Sequence, residues 1–129
     1  MQYLLQIFED ETFWNRTPQE EIGQMMDGYR QFGIDVGERM LGGNALQPTS
    51  TATSVRVRDG ERLVTDGPFA ETKEQLGGYY LLECKDLDEA IEWAARIPGA
   101  KSGTIEIRPI MEFNEDGTVK STAEAGASA

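Results

Sequence analysis

The sequence predicts a mixed α+β domain of ferredoxin-like, split βαβ layout with an inserted β-hairpin, and three patterns carry that prediction. Residues 17–40 and 86–97 each repeat apolar side chains at three- and four-residue steps, the period of a helix with one buried stripe. Each of these stretches lies between short runs that read as strands. Between the two halves stands Asp59-Gly60, flanked by alternating residues, which is the strongest short hairpin signal in the chain.

The first strand runs from Gln2 to Phe8, with Tyr3, Leu5 and Ile7 on one face and Leu4 and Phe8 on the other. Both faces are apolar, whereas a sheet covered by helices on one side needs only one such face, so a second subunit is expected on the other. Glu9, Asp10 and Glu11 follow as a solvated strand end, with binding of a hard cation as the alternative. Thr17-Pro18-Gln19-Glu20 has the spacing of a capping box with proline at the first helical position. From there Ile22, Met25, Met26, Tyr29, Phe32, Val36 and Met40 make one core-facing stripe, and Gly42-Gly43 is expected to close the helix. Glycines inside this stretch weaken a helix by about 1 kcal/mol each, so it depends on packing, and Gly28, Gly33 and Gly37 are expected where it passes close to the sheet.

Ala45 to Pro48 reads as a short extended piece and Thr49 to Thr53 as a polar loop. Thr53, Val55 and Val57 then alternate with Ser54, Arg56 and Arg58, a strand with one basic face, and Glu61 to Thr65 returns from the hairpin turn. Tyr79 to Cys84 is a strand with apolar residues on both faces. Asp86-Leu87-Asp88-Glu89 opens a second helix that turns Leu87, Ala90, Ile91, Ala94 and Ile97 inward and stops at Pro98-Gly99, with Trp93 on its flank against a loop. Thr104 to Arg108 alternates cleanly as the last strand, with Pro109 at its exit. The domain is placed at residues 1–113, followed by a polar C-terminal tail at 114–129 whose small-residue end, Ser121 to Ala129, is expected to be disordered.

The most distinctive stretch is Thr65 to Tyr80. Asp66-Gly67-Pro68 is turn chemistry, and Glu71 to Glu74 fit one helical turn ended by Gly77-Gly78. The run VTDGPFAETKEQLGGYY resembles the signature of the DGPF-domain proteins, a branch of the YCII-related family. That resemblance implies a ferredoxin-like fold that pairs into a dimeric α+β barrel, hence a homodimer. It implies little about activity, because the branch is mostly uncharacterised. Its members are often encoded beside alternative sigma factors of the extracytoplasmic-function type, which makes a sigma factor an expected partner. The wider family is associated with a His-Asp pair, and this chain has no histidine, so that chemistry does not carry over.

A chain of 129 residues suits one domain that buries roughly two-thirds of its unfolded surface. Twelve basic against twenty-three acidic residues give a formal charge of −11, which disfavours direct contact with a nucleic-acid backbone. No leader pattern opens the chain and no apolar run approaches the roughly 18 residues of a membrane span, so a soluble cytoplasmic protein is expected. The lone Cys84 ends an apolar run and reads as a small buried side chain rather than a reactive thiol. Without histidine the chain lacks the commonest general base and metal ligand at neutral pH. No metal-ligand spacing, P-loop or dinucleotide fingerprint is present, and neither a metal nor a cofactor is expected.

The remaining constellation is Asp66, Glu71, Lys73, Glu74, Tyr79 and Tyr80, with Arg56, Arg58 and Arg108 available from neighbouring strands. In one reading the protein is a non-catalytic regulatory dimer that binds a protein partner or a small anionic molecule. Arg56, Asp66, Phe69, Lys73, Tyr80 and Arg108 would then line the pocket, an arginine holding a carboxylate while a tyrosine ring covers the apolar body. The alternative is a small cofactor-free enzyme acting on a carbonyl or aromatic compound. There Asp66 or Glu74 serves as general base beside the hydroxyl of Tyr79 or Tyr80, which requires burial to raise the carboxylate's pKa. In a third reading the loop is structural: it cements the dimer, Asp66 caps its own turn, and Glu71, Lys73 and Glu74 make surface ion pairs worth less than about 1 kcal/mol.

Overall fold

The alternation of the first strand decides which way the sheet faces. In the computed structural model, which describes residues 1–120, β1 (Gln2–Glu9) buries Tyr3, Leu5 and Ile7 on one face and leaves Leu4, Gln6 and Phe8 partly exposed on the other. After a one-turn helix, α1 (Phe13–Arg16), the chain enters α2 (Gln19–Val36), whose Phe32 and Val36 are buried. The expected capping box does not form: Pro18 occupies the cap position and the Thr17 hydroxyl donates to the carbonyl of Phe13 instead. Nor does the helix reach residue 40. It ends at Val36 because Gly37 takes a left-handed φ of +56°, and Met40, Gly42 and Gly43 pass into β2 (Met40–Ala45), where an extended piece had been expected only from Ala45.

The hairpin follows as expected, β3 (Thr53–Arg58) and β4 (Glu61–Asp66) pairing around Asp59 and Gly60. Both turn residues are left-handed, φ +52° and +78°, the geometry that matches the twist of the flanking strands. This pair forms its own two-stranded sheet. It is fastened at its base, where the Gly67 N–H donates to the Ala52 carbonyl (2.7 Å) and the Ser54 hydroxyl to that of Gly67 (2.8 Å). Glu71 to Glu74 do not form a helical turn: Glu71 and Thr72 are irregular and Lys73 and Glu74 bend, and β5 begins at Gln75 and runs to Glu83, so Gly77-Gly78 lie inside a strand.

The second crossover is α3 (Leu87–Arg96), opened as its sequence requires by the Asp86 carboxylate accepting the Glu89 N–H at 2.9 Å. Ala90, Ala94 and Ile97 are buried, but Ile91 is half-exposed, because it falls on the flank of a stripe centred on Ala90 and Ala94. Trp93 meets the other helix rather than a loop: its ring stands edge-on to Phe32 at 6.1 Å, with the Arg39 and Arg96 guanidinium groups over it at 5.5 and 4.7 Å. Among the α2 glycines, Gly28 makes a close approach, but to Pro98 in the turn after α3; nothing crowds Gly33 or Gly37. The last strand is β6 (Thr104–Pro109). Beyond it residues 112–120 fold back on themselves, the Asn114 N–H reaching Thr118 and the Lys120 N–H reaching Glu112. The expectation for Ser121 to Ala129 lies outside the described residues.

The other four strands make one antiparallel sheet in the order β2-β5-β1-β6, which is consistent with the split βαβ layout. One core joins Tyr3, Leu5, Ile7 and Leu82 to Phe32, Val36, Ala90, Ala94 and Ile97, so both crossover helices cover the same face. The opposite face carries Leu4, Phe8, Leu81 and Tyr79, all half-buried. No helix among the described residues is long and apolar enough to cross a membrane.

Candidate functional site

The structure disperses the expected site residues. Arg56 and Asp66 are exposed on the hairpin, on different strands of the small sheet, and Phe69 is 80% exposed in the loop beyond it. The turn at Asp66 is stitched by Ala52 and Ser54, leaving the Asp66 side chain exposed rather than capping it. Lys73 is exposed, close enough to Asp10 to help lower that carboxyl, and Glu71 is exposed as well. Glu74 accepts a hydrogen bond from the Thr104 hydroxyl at 2.9 Å. Arg108 lies on β6 beside Glu106, 3.9 Å away. Tyr79 and Tyr80 are neighbours in sequence but point to opposite faces: Tyr79 receives a hydrogen bond from Asn44, and Tyr80 packs on Phe32 in the core.

What the structure does assemble is a cavity of about 310 Å³ between α2 and the β2–β5 end of the sheet. Its floor is made of backbone, since Gly43, Gly77 and Gly78 carry no side chains to fill it. Gly77 sits at a register shift where β1 and β5 slip past one another. A Cβ there would lie 2.8 Å from Glu9 Oε1, and one on Gly78 would lie 2.9 Å from the Asn44 carbonyl. The glycine pair is therefore explained by close approach within a strand, not by the end of a helix.

The acidic trio at the end of β1 has a separate task for each carboxylate, and only Glu9 lines the cavity. Asp10 accepts the Thr12 N–H (2.9 Å) and hydroxyl (2.7 Å), which bends the chain into α1 and holds Asp10 below the usual carboxylate range. Glu11 accepts the Thr49 N–H (2.7 Å) and hydroxyl (2.9 Å), tying down the segment before the hairpin. Glu9 continues the inward alternation of Tyr3, Leu5 and Ile7 and turns into the cavity. Its Oε1 accepts the Trp14 indole N–H at 3.1 Å, while its Oε2 is buried and has no hydrogen-bond partner among the described residues. The three carboxylates thus do not converge as a cation site, and Glu9 is not the solvated strand end expected.

Such an oxygen is costly to leave unpaired, by about 1–3 kcal/mol or more for a charged group, and it marks where a donor from outside would be welcome. Opposite Glu9, Tyr29 of α2 lines the same cavity. Burial first, then the negative charge of Glu9, pushes its hydroxyl up to about 12, against a lowering hydrogen bond from the Gly99 backbone. Tyr80 at the inner wall is also raised by burial. Met26, Ile7 and Trp14 supply apolar surface, and among the described residues no Lys or Arg lines the cavity. A second hollow of about 570 Å³ shares Glu9, Trp14 and Gly77 with it and lies toward Glu11 and Pro48. Sequence reasoning missed Glu9 and Tyr29; the signal for Glu9 was its odd-numbered place on the buried face of β1, hidden by the acidic neighbours.

The comparisons agree with this architecture. A chain of Burkholderia phenoliruptrix, 5-chloro-2-hydroxyhydroquinone dehydrochlorinase in complex with 2,5-dihydroxybenzoquinone, superposes with a TM-score of 0.53 at 11% identity, covering 91% of this chain and 99% of its own, a likeness of fold. An uncharacterised protein of Rhizobium meliloti is 37% identical over 119 residues, 88% of this chain and 94% of that one. The model of the YCII-related domain matches residues 1–114, which takes in the sheet, both crossover helices and every residue that lines the cavity. The chain belongs to the YCII-related family.

Proposed function

We propose that the protein binds a small, uncharged ring compound in the cavity between α2 and the sheet, through a hydroxyl or amine that donates to Glu9. The observation that carries this reading is the buried Glu9 Oε2, which has no partner among the described residues, in a cavity lined by glycines, apolar side chains, Asn44 and three tyrosines. A volume of about 310 Å³ lies at the small end of ligand sites and suits a single substituted ring. A fixed carboxylate without a neighbouring cation disfavours the small anionic ligand that the arginines of the sequence suggested. Hydroxylated aromatics are the first class to screen, as the quinone bound by the Burkholderia fold neighbour also suggests.

Saturation-transfer NMR with phenol, catechol and hydroquinone, each beside its carboxylated analogue, tests the reading. Binding of the neutral rings that weakens at least tenfold in Glu9→Gln is expected; equal or tighter binding of the carboxylated rings would refute it.

The open sheet face supports a homodimer of the barrel type, since Leu4, Phe8 and Leu81 are half-exposed there and both crossover helices cover the other face. Light scattering should give twice the chain mass, and Leu81→Lys should return the monomer. A protein partner, the sigma factor implied by the signature, is a second reading favoured by Phe69, 80% exposed, and by the exposed Val55, Val57 and Val64 of the hairpin. Co-purification lost in Phe69→Ala is its expected outcome.

A further inference from the structure

We propose that the cavity is a proton-transfer site, in which Glu9 removes a proton from carbon next to a neutral carbonyl and Tyr29 steadies the oxygen of the resulting enolate. The inference rests on the binding reading above and assigns a reaction to the same residues. Glu9 reaches the cavity from β1 and Tyr29 from α2, so a molecule held there has a carboxylate and a phenol among the groups that surround it. Trp14 fixes one oxygen of the carboxylate and leaves the other, Oε2, with its lone pairs uncommitted. The Tyr29 oxygen packs against Gly99, where an added Cβ would lie 2.8 Å from it. Burial, then the charge of Glu9, pushes the Tyr29 hydroxyl up to about 12, so at neutral pH it is a neutral donor. A carboxylate base paired with a neutral hydroxyl donor in an apolar site is sufficient for enolisation without metal or cofactor.

The step balances within the pair. The Cα–H bond breaks and its proton passes to Glu9 Oε2. The bonding electrons form the new C=C bond, and the carbonyl π pair moves to oxygen, where the Tyr29 hydroxyl hydrogen-bonds to it. Return of the proton from Glu9 to the same carbon regenerates the ketone, and return to a conjugated carbon gives an isomer. Glu9 borders the second hollow as well, which gives its acquired proton a route to exchange with solvent.

The test uses 2-indanone, a neutral ketone with acidic α-hydrogens, and the full chain in deuterated water. Saturation transfer reads binding, and loss of the α-proton signal reads proton transfer. Exchange well above buffer is expected, with a loss of about 100-fold or more in Glu9→Gln and about tenfold or more in Tyr29→Phe, while Tyr29→Phe still binds. Glu9→Asp, which keeps the carboxylate, retains part of the exchange and guards against a fold defect, checked by its melting curve. Binding without exchange above buffer would overturn the proton-transfer role and leave the binding reading intact. Absence of both while phenol or catechol still binds would overturn the proton-transfer role alone, absence of both with no binding of the hydroxylated rings either would overturn the two together, and undiminished exchange in folded Glu9→Gln would remove Glu9 as the base.

Discussion

Gly77→Ala places one methyl group where the cavity argument is most exposed. The new Cβ would sit 2.8 Å from Glu9 Oε1 and 3.5 Å from its Cδ and Cγ, so the carboxylate must swing away. Swinging away breaks its 3.1 Å bond from Trp14, a hydrogen bond to a charged acceptor worth about 1.5–3 kcal/mol. Against this stands about 0.4–1 kcal/mol gained by restricting the unfolded chain. The net expectation is a loss of about 1–2 kcal/mol, or a fall in melting temperature of about 3–7 °C for a domain of this size. Calorimetry reads the loss, and tryptophan emission reads its origin. Of the two tryptophans, Trp93 is anchored to Glu89 at the other end of the helical layer, so a change in emission belongs to Trp14. Adding Gly77→Ala to Glu9→Ala should cost less than adding it to the native chain, because the contact is already gone. A neutral Gly77→Ala with unaltered emission, or strict additivity in the double variant, would show that Glu9 is not held where the site requires it.

Three further outcomes follow from the packing. Glu89 accepts hydrogen bonds from the Lys85 N–H, the Trp93 indole and Arg39, which hold it below its ordinary value of 4.5. Its contribution is therefore full above that value and lost as pH falls through the depressed folded value, so urea midpoints of wild type and Glu89→Gln should differ at pH 7 and converge in acid. The Cys84 thiol, pushed up to about 11 chiefly by burial, should resist aromatic disulfide reagents at pH 8 until urea unfolds the chain; rapid native labelling would contradict its burial. Leu82→Ala removes a fully buried side chain opposite Tyr3 and should cost about 2–5 kcal/mol in chemical denaturation.

Periodicity made the scaffold legible because it reports burial directly. The buried triplet of β1 reads correctly from its alternation, and the Asp86 cap and the Asp59-Gly60 turn from interactions within a few residues. The errors cluster where a distant partner decides. Met40 continues the helical spacing of α2, yet Gly37 ends that helix and pairing with Leu82 makes Met40 a strand residue. Gly77-Gly78 has the look of a helix stop, and only the slip of β1 against β5 gives it another use. Glu9 was read with its acidic neighbours as a surface run. Its inward direction follows from alternation, but its pairing with Trp14 depends on a turn made by Asp10 and Thr12 that no spacing rule announces. The signature loop drew attention by being unusual, and being unusual did not make its side chains converge.

The hairpin that carries the approach to this loop shares no strand pairing with the main sheet, and the bonds at its base join its own two ends. Two strands alone are marginal in water, so β3 and β4 should open and close many times for each global unfolding of the core. Amides of Val55 to Val64 would then exchange with solvent at rates insensitive to substitutions such as Leu82→Ala. Substitutions on the exposed faces of β3 and β4 should therefore leave the melting of the core and its cavity nearly unchanged.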